Sequence, residues 1–385
     1  MPDTVVEINL SHIRSNAAAI AARYPMYDCL IGVVKGDAYG HGYAVVQAMR
    51  DGGVGMFAVS SVDEAHDFRR YSDAPLLCLQ PVSLDRLDEA AELSLTLPVG
   101  DMTYLRALIA RAHPYPFAIH LQVDAGFNRL GFKDACEIEQ ALALLRSSPY
   151  RVEGIYQHFA TAGVFDPYYD RQAARFSELT EGIDLHAIPL VHLGSGVALL
   201  AHDKPDAATA TRMGLILYGY NITPTSYGGG VKDRLRDLRD RYYQKKYRLS
   251  ATYRDVELVL HPAMRMYTRI LQLKNVTAGE HIGYNAAYTA PKDMRIAVLP
   301  VGYCNGIGHE DHGRMVQIGD NLYPVVGEIG MNMLCVKVDD SVMPDDRVTL
   351  LGGRITLGMF ARAAGMGLAE ALLLIGKNNP RVYVN

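Results

Sequence analysis

From about residue 28 to residue 220, short apolar runs alternate with longer amphipathic stretches. The runs Cys29–Lys35, Met56–Ser60, Leu76–Gln80, Leu93–Val99, Ile119–Asp124, Val152–His158, Pro189–Gly194 and Gly214–Tyr218 have the length and continuity of buried strands. Between them, stretches such as Val62–Tyr71, Leu84–Leu93 and Ala135–Leu145 repeat their apolar residues at helical spacing. Eight strands alternating with helices over this span predict an α/β fold, a TIM-like (β/α)8 barrel. A doubly wound open sheet shares the same periodicity. Ahead of this region, Thr4–Leu10 reads as a strand and Ser11 as the N-cap of a helix running through Ala22.

Residues 225–255 break the rhythm. They begin with Tyr227-Gly-Gly-Gly230 and continue as Lys232-Asp-Arg-Leu-Arg-Asp-Leu-Arg-Asp-Arg241, a charged helix with a thin apolar stripe. The segment reads as a solvated surface helix between domains, with a lid or a dimer contact as the alternative. Beyond Arg269 the pattern becomes short β-rich runs between Gly, Pro and Asp turns: Ile296–Pro300, Met315–Ile318, Tyr323–Val326, Leu334–Val338 and Arg347–Leu351. This predicts a mostly-β C-terminal domain.

Composition narrows the class. A net charge of −4 with mixed signs gives no nucleic-acid footprint. No stretch reaches the roughly 18 apolar residues of a membrane span. The five cysteines are scattered without a CxxC pair, and the first residues lack a basic stretch before an apolar run. A cytoplasmic protein without structural disulfides is the expectation. Gly308-His-Glu-Asp-His-Gly313 lacks the spacing of a zinc motif and reads as a polar loop, so no metal is expected.

The chemistry concentrates at strand ends. In Val33-Val-Lys-Gly-Asp-Ala-Tyr-Gly-His-Gly42, Lys35 closes an otherwise apolar strand. Desolvation there disfavours the ammonium and leaves a nucleophilic amine. Barrel active sites lie at the C-terminal ends of the strands. Alone, Lys35 reads rather as a lysine snorkelling to solvent. Other ends carry polar groups too: Gln122-Val-Asp-Ala-Gly-Phe-Asn-Arg-Leu-Gly131, His158, Gly194-Ser-Gly196, and Arg212 directly before Gly214–Tyr218. Singly, these read as a core histidine, a surface ion-pair partner and a turn. Converging on one rim, they make a candidate site.

These segments resemble the signature blocks of alanine racemases. Val34-Lys-Gly-Asp-Ala-Tyr-Gly-His-Gly42 is similar to the family's pyridoxal-phosphate (PLP) lysine block. Asp124–Gly131, His158-Phe-Ala160, Arg212–Gly219, Gly283-Tyr-Asn-Ala-Ala-Tyr-Thr-Ala290, Leu299–Tyr303, Gly327–Asn332 and Pro380–Tyr383 follow in family order. The resemblance implies a PLP-binding barrel over 11–224, the charged insertion over 225–255, and a β domain over 256–385 joined by the strand within 1–10. It implies a head-to-tail homodimer interconverting L- and D-alanine, with a role in D-alanine supply. Lys35 would carry PLP and act as one base, and Tyr284 of the partner subunit as the other. Arg212 would bond the pyridine nitrogen, and His158 would link Arg212 towards Tyr284. Tyr39, Ser195, Gly214 and Leu215 would hold the phosphate, while Arg129 and Met331 would lie at the substrate. Alternatives are a racemase of serine or of small amino acids broadly, or a non-catalytic PLP-binding protein. Proteins of that last kind resemble the barrel alone, so the domain carrying Tyr284 speaks against it.

Three positions depart from the family pattern. Gln122 stands where a lysine carbamate is common, so the anion that would orient Arg129 is missing unless an ion such as chloride replaces it. Asn332 stands in place of an aspartate. Lys377 stands in place of the inner-gate tyrosine, where it either reaches the phosphate or points to solvent.

Overall fold

The computed structural model describes residues 3–111, 113–163, 166–221, 231–247 and 258–385. The chain divides into two units, neither continuous in sequence. One takes Ile13–Lys35 and the described residues of Val46–His261; the other takes β1 (Thr4–Asn9), Gly36–Val45 and Pro262–Asn385.

The first unit is a closed parallel barrel of β2 (Cys29–Val33), β3 (Met56–Val59), β4 (Leu76–Cys78), β5 (Leu95–Val99), β6 (Ala118–Gln122), β7 (Arg151–Tyr156), β8 (Leu190–Ser195) and β9 (Ala210–Met213). Every residue of β3, β4 and β5 is buried, because side chains fill the barrel and helices cover it. Several helices start at side-chain caps. Ser61 accepts from the Glu64 N–H at 3.2 Å, Asp101 from Tyr104 at 2.7 Å and Asp134 from Glu137 at 3.1 Å. The α/β barrel is thus the architecture, not the open sheet.

Three local expectations are corrected. The eighth strand is β9, not Gly214–Tyr218. The latter winds into successive turns, Leu217 N–H to Gly214 O at 2.9 Å and Tyr218 N–H to Leu215 O at 3.2 Å, so Arg212 lies within the strand. The first helix begins at Leu10, and Asn9 rather than Ser11 caps it, accepting from the His12 N–H at 2.8 Å. Leu84–Leu93 splits into a 3-10 turn over Leu84–Arg86 and a helix over Leu87–Glu92. The charged insertion forms a helix over Val231–Tyr247; residues 225–230 and 248–255 lie outside the described residues.

The second unit is a nine-stranded sheet plus a hairpin. Its further strands are β10 (Met264–Thr268), β11 (Gln272–Val276), β12 (His281–Ile282), β13 (Tyr288–Thr289), β14 (Met294–Leu299), β15 (Met315–Ile318), β16 (Asn321–Val326), β17 (Leu334–Val338), β18 (Val348–Leu351) and β19 (Arg381–Val384). The order is β11-β14-β17-β16-β15-β18-β10-β1-β19, and β12 pairs with β13. β1 lies antiparallel to β10 and parallel to β19, with Val6 opposite Arg381. Two helices, Leu357–Ala363 and Leu368–Lys377, complete this unit.

Candidate active site

Lys35 follows β2 at the C-terminal mouth of the barrel. Its side chain is open to solvent there, yet the surrounding protein still desolvates the amine. That desolvation first, and the Arg129 charge second, hold its pKa below the ordinary lysine value. The amine is therefore less committed to its proton than a surface lysine.

Arg212 is buried in β9, and burial pulls its pKa down to about 10. Its Nη1–H donates to His192 Nδ1 at 2.7 Å, and its Nη2–H to the Gln157 carbonyl at 2.6 Å. Nη2 also stands 3.4 Å from His158 Nδ1. Both Nη groups are thus committed, whereas the Nε–H has no hydrogen-bond partner among the described residues. His158 is half-buried, and burial, followed by Arg212, pushes its pKa down to about 3. It is a neutral imidazole beside a guanidinium. Tyr156 stacks on His192 at 4.6 Å and lies 5.2 Å under the Arg212 guanidinium carbon. Neither His192 nor Tyr156 stood out in the sequence, since each sits inside an apolar strand run.

The residues expected at the phosphate stand at the next turns. Ser195 ends β8 beside Arg212 in the sheet register and caps the helix Gly196–Ala201, its Oγ accepting from Ala198 N–H at 3.4 Å. Gly214 and Leu215 open the turn after β9. Gln122 is buried at the end of β6, its Oε1 accepting from the Tyr156 hydroxyl at 3.0 Å. Arg129 is exposed, with its guanidinium 4.3 Å from the centre of the Phe127 ring and no carboxylate partner among the described residues.

The remaining candidates belong to the second unit. Tyr39 ends a left-handed turn in which Gly36, Asp37, Ala38, Tyr39 and Gly40 have φ of 64°, 55°, 53°, 52° and 80°. That hand costs a non-glycine residue roughly 1–2 kcal/mol. The turn persists because it is over-determined. Arg381 pairs with Asp37 and donates to Gly40 O at 3.3 Å, while the Tyr383 hydroxyl donates to His41 O at 3.1 Å. Gly376 presses so closely that a Cβ on it would lie 1.8 Å from Gly40 O. Lys377, the next residue, is exposed at the end of its helix. Tyr284 is 69% exposed at the tip of the β12–β13 hairpin. Asn285 and Ala286 there are left-handed, and Asn285 donates to both Glu328 oxygens at 3.0 Å. Met331 and Asn332 are exposed nearby: a Cβ on Gly330 would stand 3.6 Å from Tyr284 Cε2.

A closed α/β barrel with a lysine of lowered pKa and a buried arginine without a carboxylate partner near its C-terminal mouth is a setting in which an enzyme can hold a carbonyl cofactor. The chain belongs to the alanine racemase family. The family's N-terminal domain matches residues 8–222 and its C-terminal domain residues 263–383. An alanine racemase of Streptococcus pneumoniae strain Hungary19A-6 is 31% identical, the match covering 98% of this chain and 96% of the relative. Among solved structures, alanine racemase from E. faecalis has a TM-score of 0.87 at 27% identity, covering 99% of this chain and 98% of that one. The biosynthetic alanine racemase from Pseudomonas aeruginosa has a TM-score of 0.82 at 27% identity, with all of both chains covered. The residues fit the PLP that the family implies. Lys35 offers an amine for its aldehyde, and the uncommitted Nε–H of Arg212 offers a donor for an unprotonated ring nitrogen.

Proposed function

We propose that this protein is a PLP-dependent isomerase that interconverts L- and D-alanine, working as a homodimer in the cytoplasm. The observation that carries the reading is Arg212, whose nearest polar partners are two neutral imidazoles and two backbone carbonyls, with no carboxylate among them. PLP, when bound, would supply an electron sink for the substrate α-carbon. Arginine has no acceptor site and stays charged, so it holds the ring nitrogen as a hydrogen-bond acceptor rather than protonating it. That weakens the electron sink and shortens the time available for side reactions. Lys35 Nζ takes the α-proton from, or returns it to, one face. The partner subunit's Tyr284 does the same through its hydroxyl on the other face. Its exposure on a braced turn suits a group offered to a second copy. Arg129 and Met331 would border the substrate, and Tyr39, Ser195, Gly214, Leu215 and Lys377 would hold the phosphate.

Five free cysteines accord with a reducing compartment, and no single described helix is long and apolar enough to cross a membrane. The test is incubation of PLP-loaded protein with L-alanine, L-serine and larger L-amino acids, followed by chiral chromatography. D-alanine should accumulate towards equimolarity with L-alanine. Absence of D-alanine from a preparation that has bound PLP rejects the proposal.

A further inference from the structure

A chain of hydrogen bonds runs from Arg212 through the barrel interior to a carboxylate on the N-terminal side. Arg212 Nη1 meets His192 Nδ1 at 2.7 Å, His192 Nε2 meets His120 Nδ1 at 2.8 Å, and His120 Nε2 meets a Glu153 oxygen at 3.3 Å. The roles along this chain are forced. Arginine cannot accept, so His192 Nδ1 must be a lone pair. A neutral His192 then carries its proton on Nε2 and donates it to His120 Nδ1. His120 in turn carries its proton on Nε2 and gives it to the carboxylate, which cannot donate. Both rings are fully buried, and burial keeps both on the neutral side, for His120 against the pull of Glu153.

The barrel is shaped to seat this chain. The strand register slips at His120 between β6 and β7, and at His192 between β8 and β9, as it does where a side chain is re-aimed. Gly154 lies under the His120 ring, where a Cβ would come 2.7 Å from Nδ1. The Glu153 carboxylate is held in turn by Arg151 at 3.0 Å and by the Thr96 hydroxyl at 3.1 Å.

We propose that Glu153 is a positioning residue for Arg212: by accepting the His120 Nε2 proton it anchors the His120 and His192 rings where they hold the guanidinium with its Nε–H free for the cofactor. The last clause rests on the function proposed above; the tautomer assignment does not. Glu153 thereby places a negative charge opposite a buried arginine that has no carboxylate beside it, three hydrogen bonds away.

The test is ¹⁵N NMR of histidine-labelled protein without cofactor, with signals assigned by His120→Asn and His192→Asn, together with PLP titration. In wild type, both rings should be neutral with the proton on Nε2. Glu153→Gln keeps an acceptor oxygen and should preserve that pattern, with PLP affinity within about threefold. Glu153→Leu removes the acceptor. It should leave the His120 Nε2–H without an acceptor, shift and broaden the His120 and His192 ¹⁵N signals as the rings lose their anchor, and weaken PLP binding by about tenfold or more. Gly154→Ala leaves Glu153 in place but displaces the His120 ring, and should give the same loss if the leucine variant does not fold. A proton on His192 Nδ1 in wild type overturns the proposal. So does a folded Glu153→Leu or Gly154→Ala protein with unchanged histidine signals. Normal tautomers with no racemase activity would instead count against the function proposed above.

Discussion

Arg129 stands at the mouth of the barrel against the Phe127 ring, with Gln122 buried nearby and bonded to Tyr156. An amide cannot supply the charge that would hold a guanidinium, so a dissolved anion is the natural substitute. Replacing chloride by a large organic anion at constant ionic strength should raise the KM for alanine on the order of threefold. Gln122→Glu should abolish that dependence, because a carboxylate there still accepts from Tyr156. Chloride-independent kinetics in wild type would sink the idea. Lys35 carries a sharper expectation. Lys35→Ala should lose racemisation by about a thousandfold or more. Borohydride should fix the cofactor to the peptide containing Lys35, and labelling of another lysine rejects the assignment.

Among the elements, the left-handed turn at residues 36–40 carries Tyr39, proposed above to hold the cofactor phosphate. Its strain is offset by Asp37–Arg381 and by the Gly40–Gly376 approach. Asp37→Asn should therefore weaken PLP binding several-fold, by roughly a kcal/mol, with the far-UV CD spectrum unchanged. Equal affinity in the two proteins would show that the turn holds without the ion pair. None of this geometry is legible in Gly36-Asp-Ala-Tyr-Gly40, because the partners that enforce it lie more than three hundred residues away. The barrel strands, by contrast, are read directly from short apolar runs between Ser and Asp caps. Gly214–Tyr218 misleads because it is apolar and largely buried, yet it winds into turns that end at Gly219, whose φ is 89°. His120 and His192 stay hidden for a related reason: a single histidine in an apolar strand looks like ordinary core until its partner on a neighbouring strand is known.

For the whole molecule, the buried histidines set an acid limit. Burial brings His41 and His202 down to about 4, against about 6.5 when unfolded. Below pH 6.5 the unfolded chain binds protons that the native chain refuses, so stability is full above that pH and falls as pH drops towards 4. His41 alone should cost about 3 kcal/mol at pH 4. Denaturant midpoints should therefore decline from pH 6.5 downward, ahead of carboxylate protonation; a flat profile between pH 6.5 and 5 contradicts this. Assembly is testable by mixing Lys35→Ala and Tyr284→Ala proteins after reversible dissociation. If two copies share each site, about half the dimers are mixed and each regains one intact site, returning about a quarter of wild-type activity. No recovery after proven subunit exchange rejects shared sites. Finally, β1 pairs with β10 on one side and with β19 on the other. During translation the barrel can close once β9 has emerged from the ribosome. The first strand must wait for residues 381–384 before its second neighbour exists. The nascent chain thus carries an open strand edge until β19 has been made, the period in which a chaperone or a stray β-strand would find it.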